Sequence, residues 1–241
     1  TGLMILGNKY INDYQGKAAE LTADWLFASS NMTYGEVTVN SVDAMKASIQ
    51  TIKFSSNVTD SWKLSNYEFL LTQRELGTVT KKLANTSEEE SAAILYDFDP
   101  YESAAAQITA GKFTTPAKVS TPIGIGYLPS DHDAPLFVIL KDWTYFKDTY
   151  NTYLKPVQEK TGKITDAELY VNGEKVADVK LVEGSGGPQL MTLLSQNTIQ
   201  YAIAGTPPFV TAIDASTGNM DLKILSPIML EGSGLVVSIT A

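Results

Sequence analysis

The segment Gly184-Ser185-Gly186-Gly187 has the composition of a loop that can bind an anion. Glycines let the backbone approach a ligand closely, and Pro188 favours the first turn of a helix, whose free N–H groups carry positive dipole character. The Ser185 side chain would add a hydroxyl donor. The alternative is a tight turn that binds nothing, because glycine is also the usual residue of such turns. Both interpretations stay open; if the loop binds a ligand, we expect a small anionic or polar solute.

The segment Ser130-Asp131-His132-Asp133 is the second candidate for chemistry. Asp and His can ligate metal ions, but three consecutive side chains rarely converge on one ion, and His132 is the only histidine. We therefore expect no metal site and interpret the segment as a polar cleft loop, in which His132 donates a hydrogen bond to a ligand or responds to pH. A Ser–His–Asp hydrolase would have to be built around His132, and no nucleophile motif supports one.

The elements before these loops are apolar runs typical of buried strands, and strand and helix alternate from residue 123 onward. This alternation predicts an α/β fold with a mainly parallel sheet, which would bind ligands at the carboxyl ends of its strands. A hairpin is predicted over residues 167–182, with its turn at Asn172-Gly173. The four predicted loops are residues 129–133 after the strand 123–128, residues 184–187 after the hairpin, residues 205–208 after the strand 199–204, and residues 227–232 after the strand 222–226. Helices are predicted over residues 134–150, beginning at Pro135, and after Pro188.

The predicted ligand-binding residues all lie in these four loops. The loop ends of parallel strands meet at one edge of a sheet, so we expect their side chains and N–H groups to surround one solute. The predicted set is Ser130, Asp131, His132, Ser185, Gly186, Gly187, Thr206 and Glu231.

The first 111 residues have mostly helical patterns, followed by a Pro- and Thr-containing linker over residues 112–122. The exception is the apolar run at residues 2–7, which we interpret as a short buried strand. Predicted helix signals are a helical stretch with apolar Ala19, Leu21, Trp25 and Leu26, a cap at Ser41, a start at Thr59 or Asp60, a capping box over residues 87–90, a start at Asp99-Pro100 and a stop at Gly111.

Composition removes several classes of function. The chain has 241 residues, no Cys and a net charge of −9, with 18 Lys and Arg against 27 Asp and Glu. The absence of Cys excludes disulfides and thiol catalysis, and the charge balance does not suit general nucleic-acid binding. We therefore expect a binding or assembly protein rather than an enzyme, with no catalytic residues, no cofactor and no nucleic-acid partner.

Asparagine sequons occur at Asn31, Asn57 and Asn85. These Asn-X-Ser/Thr triplets are acceptors for N-glycosylation in exported proteins. They favour an extracellular or cell-surface location.

Three segments of the second half resemble the first lobe of solute-binding proteins of the nitrate/sulfonate/taurine type of ABC importers, which are related to thiamine-precursor-binding proteins. The resemblance rests on residues 126–137 (GYLPSDHDAPLF), 181–191 (LVEGSGGPQLM) and 199–208 (IQYAIAGTPP), and residues 224–237 complete it. It implies one lobe of a type II periplasmic-binding-protein fold, with a mainly parallel sheet flanked by helices.

The first half resembles the end of the same kind of protein. Gly2-Leu-Met-Ile with residues 8–11 resembles the hinge strand that returns to the first lobe, and residues 25–26, 48–49 and 52–54 resemble the tail that packs there. The order is therefore reversed and the second lobe is absent, so that both ends of the sequence carry a similar Gly-Leu strand, at residues 1–5 and 233–237.

The resemblance divides the chain into a helical tail segment with an initial hinge strand (1–111), the linker (112–122) and an α/β lobe (123–241), which together form one compact permuted or swapped module. A permuted lobe, a slice of a tandem array and a portion of a longer chain all fit this order.

The resemblance implies binding of a small anionic or polar solute, with importer membrane subunits as partners. The alternative is an extracellular structural protein of a surface layer, sheath or filament, in which the lobe is a building block assembled through swapping. An enzyme related to thiamine-precursor synthases is less favoured, because their chemistry uses Cys or His groups that this chain mostly lacks.

Overall fold

A computed structural model describes residues 1–28, 30–216 and 221–231, without the side chains of Tyr34 and Glu231. The helices are α1 (Gly2–Asp13), α2 (Gln15–Phe27), α3 (Ser41–Thr51), α4 (Asp60–Glu75), α5 (Glu88–Leu95), α6 (Asp99–Ala110), α7 (Ala134–Lys141), α8 (Trp143–Tyr150), α9 (Gly187–Ser195) and α10 (Thr206–Ala215). The strands are β1 (Asn31–Tyr34), β2 (Val37–Asn40), β3 (Lys53–Phe54), β4 (Ile123–Tyr127), β5 (Tyr153–Lys160), β6 (Lys163–Val171), β7 (Glu174–Glu183), β8 (Tyr201–Ala202) and β9 (Met229–Glu231). None of the helices within these ranges is both long and apolar enough to cross a membrane.

The central sheet has five strands in the order β5-β6-β7-β4-β8. Strand β4 runs parallel to β7 and β8, with Ile125 opposite both Leu181 and Tyr201. Strands β5, β6 and β7 are antiparallel to one another. The α/β class is confirmed in this coarse sense, but the predicted mainly parallel sheet is wrong, because half of the sheet is an antiparallel meander.

Turn chemistry explains the meander. Asn172 and Gly173 adopt positive φ values of 51° and 77°, which confirms the predicted hairpin between β6 and β7. Thr161 and Gly162 adopt nearly the same conformation between β5 and β6, with φ values of 51° and 78°. Strand β5 was not predicted, because Pro156 and the charged residues near its end hide the alternation of a strand.

Helices cover both faces of the sheet. Neighbouring residues of a strand point to opposite faces, so Tyr127 and Leu181 pack with α1, α2, α3, α7 and α8, whereas Val182 and Leu128 pack with α4, α5, α9 and α10. In β4, glycine lets the second helical layer come close, since a Cβ at Gly126 would lie 2.5 Å from Ile199 Cδ1 and 2.8 Å from Leu190 Cδ2. Two hydrophobic cores therefore share one sheet.

The predicted strand over residues 2–7, which was also the predicted hinge strand, is wrong because these residues begin helix α1. A short apolar run carries too little periodicity to separate a buried strand from a buried helix. Leu6, Tyr10 and Ile11 are buried at helical spacing against α7, and the Tyr10 hydroxyl donates a hydrogen bond to Asp142 Oδ2 at 2.6 Å.

Several helix ends agree with the sequence. Thr59 caps α4, and Ser87 with Glu90 forms the predicted capping box of α5. Gly111 ends α6 in the left-handed conformation at φ 64°. Residues 112–122 contain no regular secondary structure, and the Val119 N–H of this segment donates to the Val176 carbonyl of β7 at 2.8 Å.

Other boundaries differ. Asn40, not Ser41, caps α3, with Asn40 Oδ1 accepting from the N–H of Val42 at 3.0 Å and of Asp43 at 3.2 Å. The helix predicted over residues 134–150 is split at Asp142, whose backbone leaves the helical conformation and whose carboxylate binds Tyr10. The strand predicted over residues 222–226 is reduced to a single bridge between Ile224 and Tyr96.

Residues 221–231 return to the first half of the chain. Strand β9 pairs with β3, and the Ile228 carbonyl accepts hydrogen bonds from Asn8 Nδ2 at 3.0 Å and from the Ser55 N–H at 3.1 Å. The second Gly-Leu strand predicted near the end, at residues 233–237, lies outside the described residues. Helices α1 and α2 also pack on α7, so the two halves contact each other within one chain.

Candidate functional site

Three of the predicted loops converge at one edge of the sheet. Strands β7, β4 and β8 are adjacent and parallel, and each is followed by a candidate loop. The Tyr127 carbonyl accepts from the Gly184 N–H at 2.8 Å, and the Gly126 carbonyl accepts from the Ile203 N–H at 2.9 Å. Glu231 is different: its strand β9 belongs to the separate pairing with β3, and its side chain lies outside the described part of the structure.

Two helices begin at this edge, α9 and α10. Their first turns touch, since a Cβ at Gly187 would lie 2.5 Å from Pro208 Cγ. The residues that cap them, Gly186 and Gly205, supply no side-chain acceptor, and because Pro188, Pro207 and Pro208 have no N–H, the donors at the first positions of the two helices are those of Gly187 and Thr206. The positive ends of both helices therefore lie together, with Thr206 in the first turn of α10, which is the arrangement that favours an anionic or polar group.

The glycines of the 184–187 loop do not all serve a ligand. A Cβ at Gly184 would lie 2.6 Å from Leu190 Cδ2, so Gly184 and Gly187 are explained by close packing within the protein. Gly186 is different, because its nearest neighbour would be Pro188 Cδ at 3.8 Å. Close approach of a ligand to this backbone is thus possible at Gly186.

The side chain of Ser185 is oriented by the following helix. Gln189 Oε1 accepts from Ser185 Oγ at 2.8 Å and from the Ser185 N–H at 2.6 Å. This hydrogen bond uses the hydroxyl proton of Ser185, so its oxygen can accept from a ligand, and only a change of rotamer would make it the donor that we expected.

The 129–133 loop after β4 is shaped by two of its own polar residues. Ser130 Oγ accepts from the His132 N–H at 3.1 Å, and Asp133 Oδ2 accepts from the Leu128 N–H at 2.5 Å. Residues 131–133 form a single 3₁₀ turn. Asp131 and His132 then project from the turn with about a third of each side chain exposed, at 29% and 35%, and Asp131 Oδ1 lies 3.8 Å from His132 Nε2.

A serine from the first half of the chain joins this loop. Ser48 Oγ in α3 donates a hydrogen bond to Asp131 Oδ2. In the sequence Ser48 belongs only to the segment that resembles the tail, and a lone serine in a helix carries no signal of a binding role. The helical half therefore orients one of the predicted ligand-binding carboxylates.

A second group of polar residues that the sequence did not reveal lies where β4 and β7 end. Tyr127 and Glu183 are register partners, and the Tyr127 hydroxyl donates to Glu183 Oε2 at 3.0 Å. Lys163 Nζ lies 2.5 Å from the same oxygen. Burial, together with the neighbouring Glu183 carboxylate, raises the pKa of Tyr127, which keeps this phenol protonated as a donor.

Asp133 is the buried acid of the site, with 3% of its surface exposed. Burial raises the pKa of the Asp133 carboxyl well above its usual range, and the nearby Asp131 carboxylate adds to this, while the hydrogen bond from the Leu128 N–H opposes it. Within the described residues there is no group of three or more His, Asp or Glu arranged to hold a metal ion.

Replacing Asp133 by Asn is expected to flatten the pH dependence of stability. Above about pH 4 the unfolded carboxyl ionises while the native one keeps its proton, so the native state binds more protons and the free energy of unfolding falls as pH rises toward the native pKa. The substituted asparagine cannot ionise, and its Oδ1 can still accept from Leu128. Urea unfolding at several pH values should show that D133N gains stability relative to the parent as pH rises, whereas the exposed control D148N should follow the parent. Parallel curves for D133N and the parent would contradict this expectation.

The predicted glycosylation residues are accessible. Asn31, Asn57 and Asn85 are all exposed. Asn31 lies in the β1–β2 hairpin, Asn57 precedes α4, and Asn85 precedes α5.

Comparison with known proteins gives one informative similarity. The chain is 39% identical over 94 residues to an uncharacterized protein of the archaeon Methanocaldococcus jannaschii; the match covers 39% of this chain and 62% of that protein's length. No protein-family model matches the chain, and no solved structure matches it.

Proposed function

We propose that this chain is a solute-binding module of the ABC-importer type, which binds a small anionic or polar solute at the loops after β7, β4 and β8. The observation that carries the proposal is the meeting of three strand ends and the uncapped starts of α9 and α10 at one edge of the sheet. This is the position at which open α/β sheets bind ligands. The proposed role is binding, without a catalytic step or a cofactor.

The two sides of the proposed site offer complementary groups. On one side, the N–H groups at Gly186 and Gly187 and the first turn of α10 with Thr206 present positive dipole character. On the other side, Ser130 shapes the turn that carries Asp131 and His132, and Ser48 orients Asp131. A solute with an acceptor group at one end and a donor group at the other fits this pair of surfaces.

The finer fold that we propose is one lobe of a type II periplasmic-binding-protein fold in permuted order. The contacts of α1 and α2 with α7, and of β9 with β3, support an arrangement in which both halves form one module. In that family the solute is enclosed between two lobes, so a partner lobe would add most of the buried area. Importer membrane subunits are the proposed protein partners.

The exposed sequons support an extracellular or cell-surface location, which we propose together with solute binding. Assembly into a surface layer or filament is the weaker alternative. The outer strand β5 contains Pro156 and two register shifts, and the opposite outer strand β8 has two residues, so neither edge of the sheet suits the addition of strands from another molecule.

Solute binding is tested by isothermal titration with nitrate, taurine, bicarbonate and a pyrimidine, with the chain alone and with a partner lobe supplied. We expect one of these solutes to release or absorb heat, and Ser48→Ala to weaken its binding by about tenfold, because Asp131 loses a hydrogen bond worth about 1.5 kcal/mol to a charged group. Ser65→Ala, which changes an exposed serine in α4, is the matched control and should bind like the parent. Silence from every solute, with the partner lobe present, would overturn the proposal.

A further inference from the structure

A cavity of about 340 Å³ lies between α4 and α5, far along the chain from the sheet-edge loops and sharing no residue with them. Its walls are largely apolar and include Tyr67, Leu70, Leu95, Tyr96 and Phe98. This volume is at the lower end of the range of about 300–1,000 Å³ that small-molecule sites occupy. Nothing in the proposed solute-binding role uses this cavity.

Residues 223 and 224 hold the end of α5 and the following segment in place. The Ile224 backbone exchanges hydrogen bonds with Leu95 at 2.8 Å and Asp97 at 3.1 Å on either side of Tyr96. Lys223 Nζ donates to the carbonyls of Ala93 and Ile94 at the end of α5. The rings of Tyr96 and Phe98 stack with centroids 5.1 Å apart. The cavity is therefore preformed, which lowers the entropic cost of binding.

Two of the tyrosines that line the cavity have hydroxyls that form no hydrogen bond with the described residues. Within the described residues, neither Tyr67 nor Tyr96 has a hydrogen-bond partner for its hydroxyl, and burial raises the pKa of Tyr96 to about 12, so its phenol stays protonated. The other neutral polar side chains are already engaged. Asn66 Nδ2 donates to the Trp62 carbonyl at 2.7 Å, and Ser91 Oγ lies 2.7 Å from Thr86 Oγ1.

The cavity also has one cation and one anion, on different helices. Lys63 in α4 lies with its Nζ 5.6 Å from the centroid of the Phe98 ring and 3.6 Å from the fully exposed Asp60 carboxylate. Glu88 is the first residue of α5 and has no ion-pair partner among the described residues. Among the described residues Lys63 and Glu88 do not pair with each other, so Glu88 is available to a cationic group, and Lys63, whose partner Asp60 is fully solvated, can turn to an anionic one.

We propose that this cavity binds a free amino acid with an aromatic or branched aliphatic side chain. Its carboxylate accepts from Lys63 and the tyrosine hydroxyls, its ammonium group pairs with Glu88, and its side chain packs against Leu70 and Leu95. An anion of the same shape would leave Glu88 without a counter-charge, and a cation would forgo the contact with Lys63.

The test compares L-phenylalanine with 3-phenylpropionate and phenethylamine, which lack the ammonium and the carboxylate respectively, by titration calorimetry on the full chain. We expect L-phenylalanine to bind, and each analogue to bind at least tenfold more weakly. Lys63→Met should weaken L-phenylalanine by about tenfold. Lys17→Met is the matched control, because Lys17 is also exposed and also lies 3.6 Å from an acid three residues away on a helix, but lines no part of this cavity.

A second variant fills the space directly. Ala92→Leu adds three carbons to the wall and should abolish binding while the thermal unfolding temperature stays near that of the parent. If Ala92→Leu fails to fold, the comparison of Lys63→Met with Lys17→Met decides alone. The proposal is overturned if L-phenylalanine does not bind at millimolar concentration, if 3-phenylpropionate binds equally well, or if Lys63→Met and Lys17→Met behave alike.

Discussion

Replacing Asp214 by Ala is expected to lower the free energy of unfolding by about 3 kcal/mol. The substitution removes the acceptor of several backbone N–H groups, and each N–H group that stays buried without an acceptor costs about 1–3 kcal/mol. Asp214 lies in α10 with 3% of its surface exposed. Its carboxylate accepts from the N–H groups of Thr80 at 2.9 Å, Lys81 at 3.1 Å and Leu83 at 2.8 Å. One side chain of the second half thus holds the loop between α4 and α5.

Arg74 in α4 also holds this loop. Its guanidinium donates to the carbonyls of Leu83 and Thr86, both at 2.9 Å. Urea unfolding followed by circular dichroism measures the effect, with Asp221→Ala as the control for removal of an exposed acid. Asp214→Asn should lose less, since its Oδ1 still accepts. Equal stability of D214A and D221A would show that the loop does not depend on this carboxylate.

The second large effect is expected at the crossing of α1 and α7. A Cβ at Gly7 would lie 2.7 Å from the Pro135 carbonyl oxygen and 2.9 Å from Ile139 Cδ1. A backbone oxygen inside a packed helix cannot move aside cheaply, so Gly7→Ala should destabilise the protein by about 1–3 kcal/mol, as overpacked cores do.

Gly16→Ala is the matched control for this crossing. Gly16 is also a helical glycine, in α2, but a Cβ there would meet nothing within 4 Å. Both substitutions gain the helix propensity of alanine, about 1 kcal/mol, so G16A should be neutral or more stable in thermal and urea unfolding while G7A is less stable. If the two variants gained stability equally, the close packing of the N-terminal helix on α7 would be refuted.

Local chemistry made parts of the fold predictable from sequence. The cap at Thr59, the capping box at Ser87 and the Asn172-Gly173 turn each depend on neighbouring residues, and each is found where it was expected. Helix α1 was not predictable, since its first turn is apolar on every side and only its packing against Pro135 distinguishes it from a buried strand.

The candidate site also has parts that the sequence predicts and parts that it does not. The loops after β4, β7 and β8 were predictable because each follows an apolar run, and parallel strands bring such loops to one edge. The Ser48–Asp131 and Tyr127–Glu183 hydrogen bonds join residues that are 83 and 56 positions apart, and no pattern within either segment points to the other. Glu231 was assigned to the edge on order along the chain, but its strand pairs with β3 instead.

The return of residues 221–231 to the first half has a consequence for how the chain is made. Tyr10 forms a hydrogen bond with Asp142, which is 132 residues further along the chain, and Asn8 forms one with the Ile228 carbonyl, which is 220 residues further along. At roughly 5–20 residues per second, the ribosome needs on the order of ten seconds to add the first of these intervals. During that time the apolar faces of α1 and α2 have no sheet or helix α7 to cover them. Late, non-local contacts therefore complete this fold, since α1 and β3 reach their partners in residues 228–231 only after the sheet has been added.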